Sequence, residues 1–319
     1  MCNVLVTGGG GFIGSNLTEA LLKKGHRVRV LDNFSTGKKE NLLVAERFSS
    51  FERVEGDIRD RAVCQTAMKD VEYVFHQAAL PSVQRSVEDP LNTHSVNAVG
   101  TLNVLLAAKE AGVRRAIYAS SSSIYGDTPT LPKIETMPAN PLSPYALQKQ
   151  VGEHYCRLFS QFYDLETVSL RYFNVFGPKQ DPASIYSAVI PRFINALLRR
   201  KSPLIFGDGE QSRDFTYIDN VVHANLLAMS AEDCQGEVMN IACGSRTSLN
   251  QLLEILVGII GSEVNPVYSE PRKGDIKHSL ADIHKAKQLL HYDPLVGIES
   301  GLAKTVEYFK NRPNDTSPH

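Results

Sequence analysis

Tryptophan is absent from these 319 residues and cysteine is scarce. Cys2, Cys64, Cys156, Cys234 and Cys243 are scattered without a C-x-x-C pair. That spacing argues against a zinc site and against a disulfide framework, so no metal is expected and a reducing cytoplasm is the expected compartment. Charge of one sign is lacking too. Thirty-four basic residues stand against 35 acidic ones, a formal charge of -1 with no long run of either sign. Nucleic acid and an anionic membrane surface are therefore not expected as partners, whereas an anionic small ligand needs only a local basic site. No apolar run approaches the roughly 18 residues that would suggest a membrane span, and the first residues read as a strand rather than a charged-then-apolar leader. Internal repeats and low-complexity linkers are missing. The 42% apolar content suffices for a sizeable core in one large domain or two.

What the chain does have is a short apolar run at residues 4–7 that breaks into glycines and resumes as a helix pattern carrying Leu17, Leu21 and Leu22. Positions 8, 11 and 14 give G-x-x-G-x-x-G, and positions 9, 11 and 14 also give G-x-G-x-x-G. Glycines lack a β-carbon, so a phosphate can approach main-chain N–H groups at a helix N-terminus, where the dipole favours negative charge. A second apolar strand, residues 28–31, ends in Asp32. An acid about 20 residues past the glycines is placed to bind a ribose 2′-hydroxyl and to repel a 2′-phosphate, so NAD is expected in preference to NADP.

Downstream, residues 33–39 form a polar loop around Gly37, either an exposed connector or a contact to adenosine through Asn33 and Ser35. Residues 51–58 read as a short strand ending Gly56-Asp57-Ile58, with Asp57 and its neighbouring backbone at the adenine edge. A helix over 61–68 leads to a strand at 71–75 and then to His76-Gln77-Ala78-Ala79, small residues that either leave room for a ligand or pack a helix tightly. Residues 91–111 have helical spacing (Val96, Val99, Leu102, Leu106), with Asn97 open between a satisfied polar core group and a cofactor contact. A strand at 115–119 runs into Ser120-Ser121-Ser122-Ser123 and Ile124-Tyr125-Gly126. This repeated β-α alternation predicts a doubly wound parallel sheet of Rossmann type, with every strand's C-terminal end on one edge.

A proline-rich loop then delivers the chain to a helix beginning near Ser143, on which Tyr145 and Lys149, one turn apart, share a face. Beyond about residue 175 the alternation loosens, with helices near 188–200, 219–230, 248–260 and 298–310. The expected division is a dinucleotide-binding domain over 1–175 and a smaller α/β domain, mainly for substrate, over 176–319, with some later segments returning to the first sheet. The strand-like stretch at 166–171 belongs to that sheet, and the polar tail after Asn311 is expected to fray.

Taken in order, Gly8-x-x-Gly11-x-x-Gly14, Asp32, Gly56-Asp57, the serines before Tyr125-Gly126, Tyr145-x-x-x-Lys149 and Arg171-Tyr-Phe-Asn174-Val-Phe-Gly177-Pro178 resemble the extended short-chain dehydrogenase/reductase family, nucleotide-sugar branch, over nearly the whole chain. The resemblance implies NAD contacts at Gly8, Gly11, Phe12, Ile13, Gly14, Asp32, Asn33, Ser35, Gly37, Asp57, Ile58, Gln77, Ala78, Ala79, Asn97, Tyr145, Lys149 and Tyr172. It implies Tyr145 as the base for a sugar hydroxyl, the Lys149 ammonium with the nicotinium charge as what favours its phenolate, and Ser121 as hydrogen-bond partner of the oxygen or relay of the proton. Ser122 and Ser123 join the substrate side. Related dehydratases carry Thr-Asp-Glu at the serine run and decarboxylating relatives place a glutamate nearby; this chain has hydroxyls only. Epimerisation at sugar C4, with hydride lent to NAD and returned, is the implied reaction.

For the nucleotide, Phe206-Gly-Asp-Gly-Glu-Gln211-Ser-Arg213-Asp-Phe-Thr-Tyr217 resembles the family's uridine diphosphate site. Arg213 and Arg272 are the implied phosphate clamps, since guanidinium forks match phosphate oxygens; Asn174 would bind the diphosphate and Asp275 a ribose hydroxyl. Epimerases restricted to plain hexoses tend to carry tyrosine where this chain has Ser279. The stretches at 79–86 and 180–191, with Ser82, Gln180 and Val189, are similar to those of UDP-N-acetylglucosamine 4-epimerases. The expected activity is thus 4-epimerisation of UDP-N-acetylhexosamines, with plain UDP-hexoses also turned over. Two alternatives are a UDP-glucuronate 4-epimerase, which needs a basic group such as Arg85 or Lys277 at the carboxylate, and a non-catalytic NAD-binding scaffold. A homodimer through the helices near 91–111 and 145–163 is expected from the resemblance.

Overall fold

Seven parallel strands form the centre of the protein, here a computed structural model that describes residues 1–181, 189–271 and 277–311. In chain order they are β1 (Asn3–Thr7), β2 (Arg27–Asp32), β3 (Phe51–Glu55), β4 (Tyr73–His76), β5 (Arg115–Ser121), β6 (Glu166–Tyr172) and β7 (Glu237–Ile241). Side by side they run β7-β6-β5-β4-β1-β2-β3, all parallel. This is a Rossmann-type α/β fold, and its strand order reverses beside β1, where such sheets take their ligands.

Both sheet faces are covered, and the strands alternate between two cores. Val4 and Val6 of β1, Phe75 of β4 and Ile117 of β5 face one side, with Leu17, Leu21 and Leu22 of α1 (Phe12–Lys23). Leu5, Val74, Ala116 and Tyr118 face the other. That side is filled by Cys64 of α2 (Arg61–Ala67), by Met68 just past it, and by Val104 and Leu105 further on. Strands apolar on both faces suit a sheet buried between helices. Their C-terminal ends therefore share one edge, which collects the glycine turn, Asp32, Asp57, Gln77 and the serines.

Two short helices in the 83–94 region, α3 (Val83–Glu88) and α4 (Pro90–His94), follow β4. The single helix expected over 91–111 is instead α4, a π-helical segment (Ser95–Gly100) and α5 (Thr101–Glu110). Two contacts account for the wider turn. Gly100 packs so close to Ile58 that a β-carbon would sit 2.7 Å from its Cδ1, and Asn97 turns inward to bond both backbone groups of Leu80. A π turn lets one residue leave the α register without ending the helix.

Helix α6 (Pro144–Phe162) starts where expected: the Ser143 hydroxyl accepts the Ala146 N–H and Pro144 occupies the first turn. Four helices match the later apolar periods: α7 (Val189–Leu198), α8 (Ile218–Ser230), α9 (Leu249–Ile260) and α11 (Ile298–Lys310). Between the last two lies α10 (His284–Leu290), too short to show a period. α8 packs on α1, and β7 returns to the central sheet beside β6.

Gly152 on α6 lies directly on Tyr118, and an added β-carbon would run into the phenol oxygen. Gly→Ala in a helix ordinarily stabilises by roughly 0.5–1 kcal/mol. Here overpacking dominates, and Gly152→Ala is expected to destabilise the protein by about 1–3 kcal/mol. Denaturant unfolding reads the sign directly; a stabilised variant would show that α6 does not sit this close to β5.

Candidate active site

The glycine turn is built by exclusion of side chains. Gly8 has φ +70°, and a β-carbon there would lie 2.6 Å from the Ala78 nitrogen. One at Gly14 would strike the Gly8 carbonyl oxygen. Gly11 N–H donates to the Gly8 carbonyl (3.1 Å) and Ser15 N–H to that of Gly11 (3.0 Å), so the turn leads straight into α1. Phe12 and Ile13 occupy the helix's first turn, whose N–H groups have no intrahelical acceptor. Together these features form a cradle for a phosphate.

Asp32 closes the turn from β2. Its carboxylate accepts the Gly10 N–H at 2.8 Å and the Phe34 N–H at 2.7 Å. A carboxylate has about four acceptor positions, so two are left for a ribose diol. Burial raises its pKa and outweighs both backbone bonds. The 33–39 loop is no free connector: a β-carbon at Gly37 would be 2.8 Å from the Gly10 carbonyl carbon, and Lys38 N–H donates to the Gly10 oxygen at 2.9 Å. Within it Ser35 N–H caps the Asn33 side chain, and Asn33 donates to Asp57 at 2.8 Å. The Arg59 guanidinium forks onto the same carboxylate and holds Asp57 down at about 2. Ile58 is buried.

On the other side of the switch point stand the groups with chemistry. Ser121 ends β5, and its Oγ accepts the Ser123 hydroxyl (2.9 Å) and the Ser123 N–H (3.2 Å), while Ser122 begins a 3-10 turn. Tyr145 is half-buried, with its N–H on Ser86 Oγ at 3.0 Å. Lys149, only 3% exposed, donates to the Ala119 carbonyl at 2.7 Å. Its ammonium lies 4.9 Å from the Tyr118 ring centre and 5.9 Å from that of Tyr145. Burial lowers Lys149 to about 8. The expectation joined this ammonium with the nicotinium charge; from the chain's own groups alone, burial pushes the Tyr145 phenol up to about 12 despite its hydrogen bond with Ser121. The ammonium donates to the Ala119 carbonyl and stands 5.9 Å from the centre of the Tyr145 ring.

Gln77 and Tyr172 meet at the adjacent edge, where Gln77 Nε2 donates to the Tyr172 hydroxyl at 3.1 Å. The half-buried Ala78 and Ala79 follow, with the Ala78 backbone packed directly against Gly8. Asn97 lies below it, wholly buried, and reaches it through the Leu80 backbone rather than directly.

Substrate-side candidates come from several segments. Asn174, in the left-handed region at φ +35°, donates to the Asp214 carbonyl at 3.0 Å. Gln180 donates to the Val175 carbonyl, and among the described residues its own buried Oε1 has no hydrogen-bond partner. Gln211 binds the Phe206 carbonyl at 2.6 Å, and Arg213 Nη1 binds the carbonyls of Ser212 and Lys277. Ser279 N–H donates to Ser212 at 3.0 Å, which ties its segment to the Phe206–Arg213 stretch. Ser82, at φ +112°, caps α3 by accepting the Arg85 N–H. Val189 opens α7. Arg272, Asp275 and residues 182–188 lie outside the described residues.

Several residues that hold these groups were not singled out by the sequence. Asn225 on α8 bonds the Tyr172 hydroxyl at 2.9 Å. Asp214, fully buried, accepts the N–H groups of Cys243, Gly244 and Ala281, and burial raises it to about 6. Asn240 on β7 takes the Tyr125 hydroxyl at 2.7 Å and donates to the carbonyls of Lys133 and Asp282. Asn225 and Asn240 each leave one polar residue among apolar neighbours, and Asp214 sits within the Phe206–Tyr217 stretch without marking its own role; none of them says where the partner is.

Known proteins share this fold. Residues 4–242 match the NAD dependent epimerase/dehydratase family. A UDP-glucose 4-epimerase of Mycolicibacterium smegmatis is 41% identical over 310 residues, 97% of this chain and 98% of its own. The solved UDP-N-acetylglucosamine 4-epimerase of Methanobrevibacter ruminantium, in complex with UDP-N-acetylmuramic acid, superposes with a TM-score of 0.93 at 42% identity over 97% of this chain and 98% of that one. The UDP-glucuronic acid 4-epimerase of Bacillus cereus, in complex with UDP-glucuronic acid and NAD, gives 0.90 at 34% identity over 97% and 99%. With a glycine cradle, an acid ending β2 and a Tyr-Lys pair on one helix face, the chain belongs to the NAD dependent epimerase/dehydratase family, and NAD is its cofactor.

Proposed function

We propose that this chain is an NAD-dependent UDP-sugar 4-epimerase that interconverts UDP-N-acetylglucosamine and UDP-N-acetylgalactosamine and also turns over UDP-glucose and UDP-galactose. The observation that carries the reaction type is the hydroxyl-only end of β5 beside Tyr145. A carboxylate there would assist elimination. The one bonded to Ser120, Glu153, is held by Nε and Nη2 of Arg171, each at 2.8 Å.

In this reading Gly8, Gly11, Phe12, Ile13 and Gly14 hold the pyrophosphate, Asp32 and the 33–37 loop the adenosine, and residues 77–79 with Tyr172 the nicotinamide end. Bound there, NAD supplies a hydride acceptor for sugar C4 and a positive charge near the Tyr145 phenol. Tyr145 takes the proton of the C4 hydroxyl and later returns it. Ser121 hydrogen-bonds the same oxygen, and Lys149 stabilises the phenolate and binds the nicotinamide ribose. The segments after residue 176 supply most of the UDP-sugar side through Asn174, Phe206, Gln211 and Arg213, while β7 returns to the sheet.

Ser279 supports the acetylated sugars: its backbone is tied to Ser212, and its side chain is small where epimerases restricted to plain hexoses tend to carry tyrosine. UDP-glucuronate is the second reading, supported by likeness to the Bacillus cereus enzyme. A homodimer belongs to the proposal: Leu147, Leu158 and Phe162 expose an apolar stripe along α6, Phe162 being 65% exposed, and Val99 is exposed on the neighbouring π segment. Among the described residues no helix is long and apolar enough to cross a membrane, and all five cysteines are free thiols, which suits a reducing cytoplasm.

Supplying purified protein separately with UDP-N-acetylglucosamine, UDP-glucose and UDP-glucuronate, and following C4 configuration by proton NMR, tests the assignment. Turnover of the first two is expected; turnover confined to glucuronate overturns it. Ser279→Tyr should lower activity on the acetylated pair about tenfold or more, ~1.4 kcal/mol, while sparing the plain hexoses; equal loss on both refutes the gate. Light scattering should give the mass of two chains, and a single-chain mass contradicts the dimer.

A further inference from the structure

His76 ends β4 between the glycine turn and α6, 2% exposed, with its two ring nitrogens facing different elements. Nδ1 lies 2.7 Å from Thr7 Oγ1 at the end of β1, and Nε2 lies 2.9 Å from Thr101 Oγ1 at the start of α5. The hydroxyls decide which nitrogen carries the proton. Thr101 Oγ1 lies 2.7 Å from the Asn97 carbonyl, which can only accept; with its single O–H directed there, Thr101 accepts from His76 and Nε2 is the donor. Nδ1 is then bare, and Thr7 donates to it. That leaves Thr7 Oγ1 free to accept the Ala78 N–H, 3.3 Å away.

The bonds form one directed chain, from Ala78 N–H through Thr7, His76 and Thr101 to the Asn97 carbonyl. Asn97 extends it with its side chain, which accepts the Leu80 N–H and donates to the Leu80 carbonyl and to Gln148 Oε1 at 2.8 Å. Gln148 precedes Lys149 on α6 and donates onward to Thr93. One end of the chain is thus the loop after β4, and the other is the helix of Tyr145 and Lys149.

We propose that His76 is a positioning residue, held neutral as the Nε2–H tautomer, that fixes the 77–80 loop at a set distance from α6 and so sets the nicotinamide end against Tyr145 and Lys149. The inference rests on the functional reading above for what each end of the chain does. Its surroundings hold the ring neutral: both nitrogens meet threonine hydroxyls, the Tyr118 ring lies 5.7 Å away on β5, and the charge facing it from α6 is the Lys149 ammonium. Burial and that ammonium depress the imidazole to about 3. A second proton on the ring would oppose the Thr7 donor and break the chain at the cofactor loop.

The test starts with the wild-type protein labelled with nitrogen-15 in histidine, the His76 signals being those lost in His76→Asn. Long-range proton-nitrogen correlations should show a protonated Nε2 and a bare Nδ1, unchanged from about pH 6 to pH 9, across the range where an ordinary imidazole titrates. A protonated Nδ1, or titration in that range, overturns the proposal whether or not any variant folds. His76→Gln keeps a donor near Nε2 and loses the acceptor, and His76→Asn does the reverse. Each should lower kcat about tenfold or more at nearly constant KM for the sugar nucleotide, as misplacement of reacting groups does. Unchanged kcat in both, or a loss carried by KM, overturns the positioning role. Wild-type protein inactive on every UDP-sugar would instead remove the functional reading and leave the tautomer result standing.

Discussion

Lys149 is a buried ammonium with no carboxylate paired to it among the described residues, and its surroundings keep it so. Taking such a charge out of water costs several kcal/mol even after the protein relaxes. The local compensation is one carbonyl, that of Ala119, and two aromatic rings whose faces attract a cation. The nearest acid along the helix, Glu153, is locked to Arg171 and Ser120. Had that carboxylate been free to swing toward Lys149, the ammonium would be neutralised where the proposed chemistry needs its charge. Packing gives the geometry its sharpness, because α6 can sit on Tyr118 only where Gly152 presents no side chain.

The rest of the site is assembled from distant segments by buried polar groups, each with its partners in place. Asn240 joins the turn after the serines to the backbone near residues 133 and 282. Asp214 joins the strand of Arg213 to the 243–244 turn and to Ala281. Asn225 reaches from α8 to Tyr172 and Gln77. In a low-dielectric interior such networks are strong when complete and expensive when broken. They fix the Ser279 segment, the diphosphate candidates and the cofactor edge relative to one another, although these come from opposite halves of the chain.

The first half of the fold was legible because each element carries its own period and its own stop signal. Ser143-Pro144 announces the start of α6, and the glycines at 8, 11 and 14 announce both a turn and the helix that follows. The π segment at Ser95–Gly100 was hidden, since an apolar pattern tolerates a one-residue slip and gives no sign that Asn97 turns to Leu80. β7 was hidden for another reason. Its pairing with β6 is a choice between distant segments, and nothing within Glu237–Ile241 says which edge it joins. Among candidate site residues, Tyr145 and Lys149 stood out by their one-turn spacing, and Ser121 only through the resemblance of the ordered motifs. His76 was visible as a letter beside Gln77, but its role depends on the direction of hydrogen bonds from two threonines that are far apart in the chain.

All of this geometry serves one claim: the hydrogen taken from sugar C4 is held inside the site and put back on the other face. UDP-N-acetylglucosamine deuterated at C4, epimerised in ordinary water and read by proton NMR and mass spectrometry, tests that claim directly. Deuterium retained at C4 of the galacto product is the predicted result. Its replacement by solvent hydrogen would contradict the account, since C4 would then have exchanged its hydrogen as a proton.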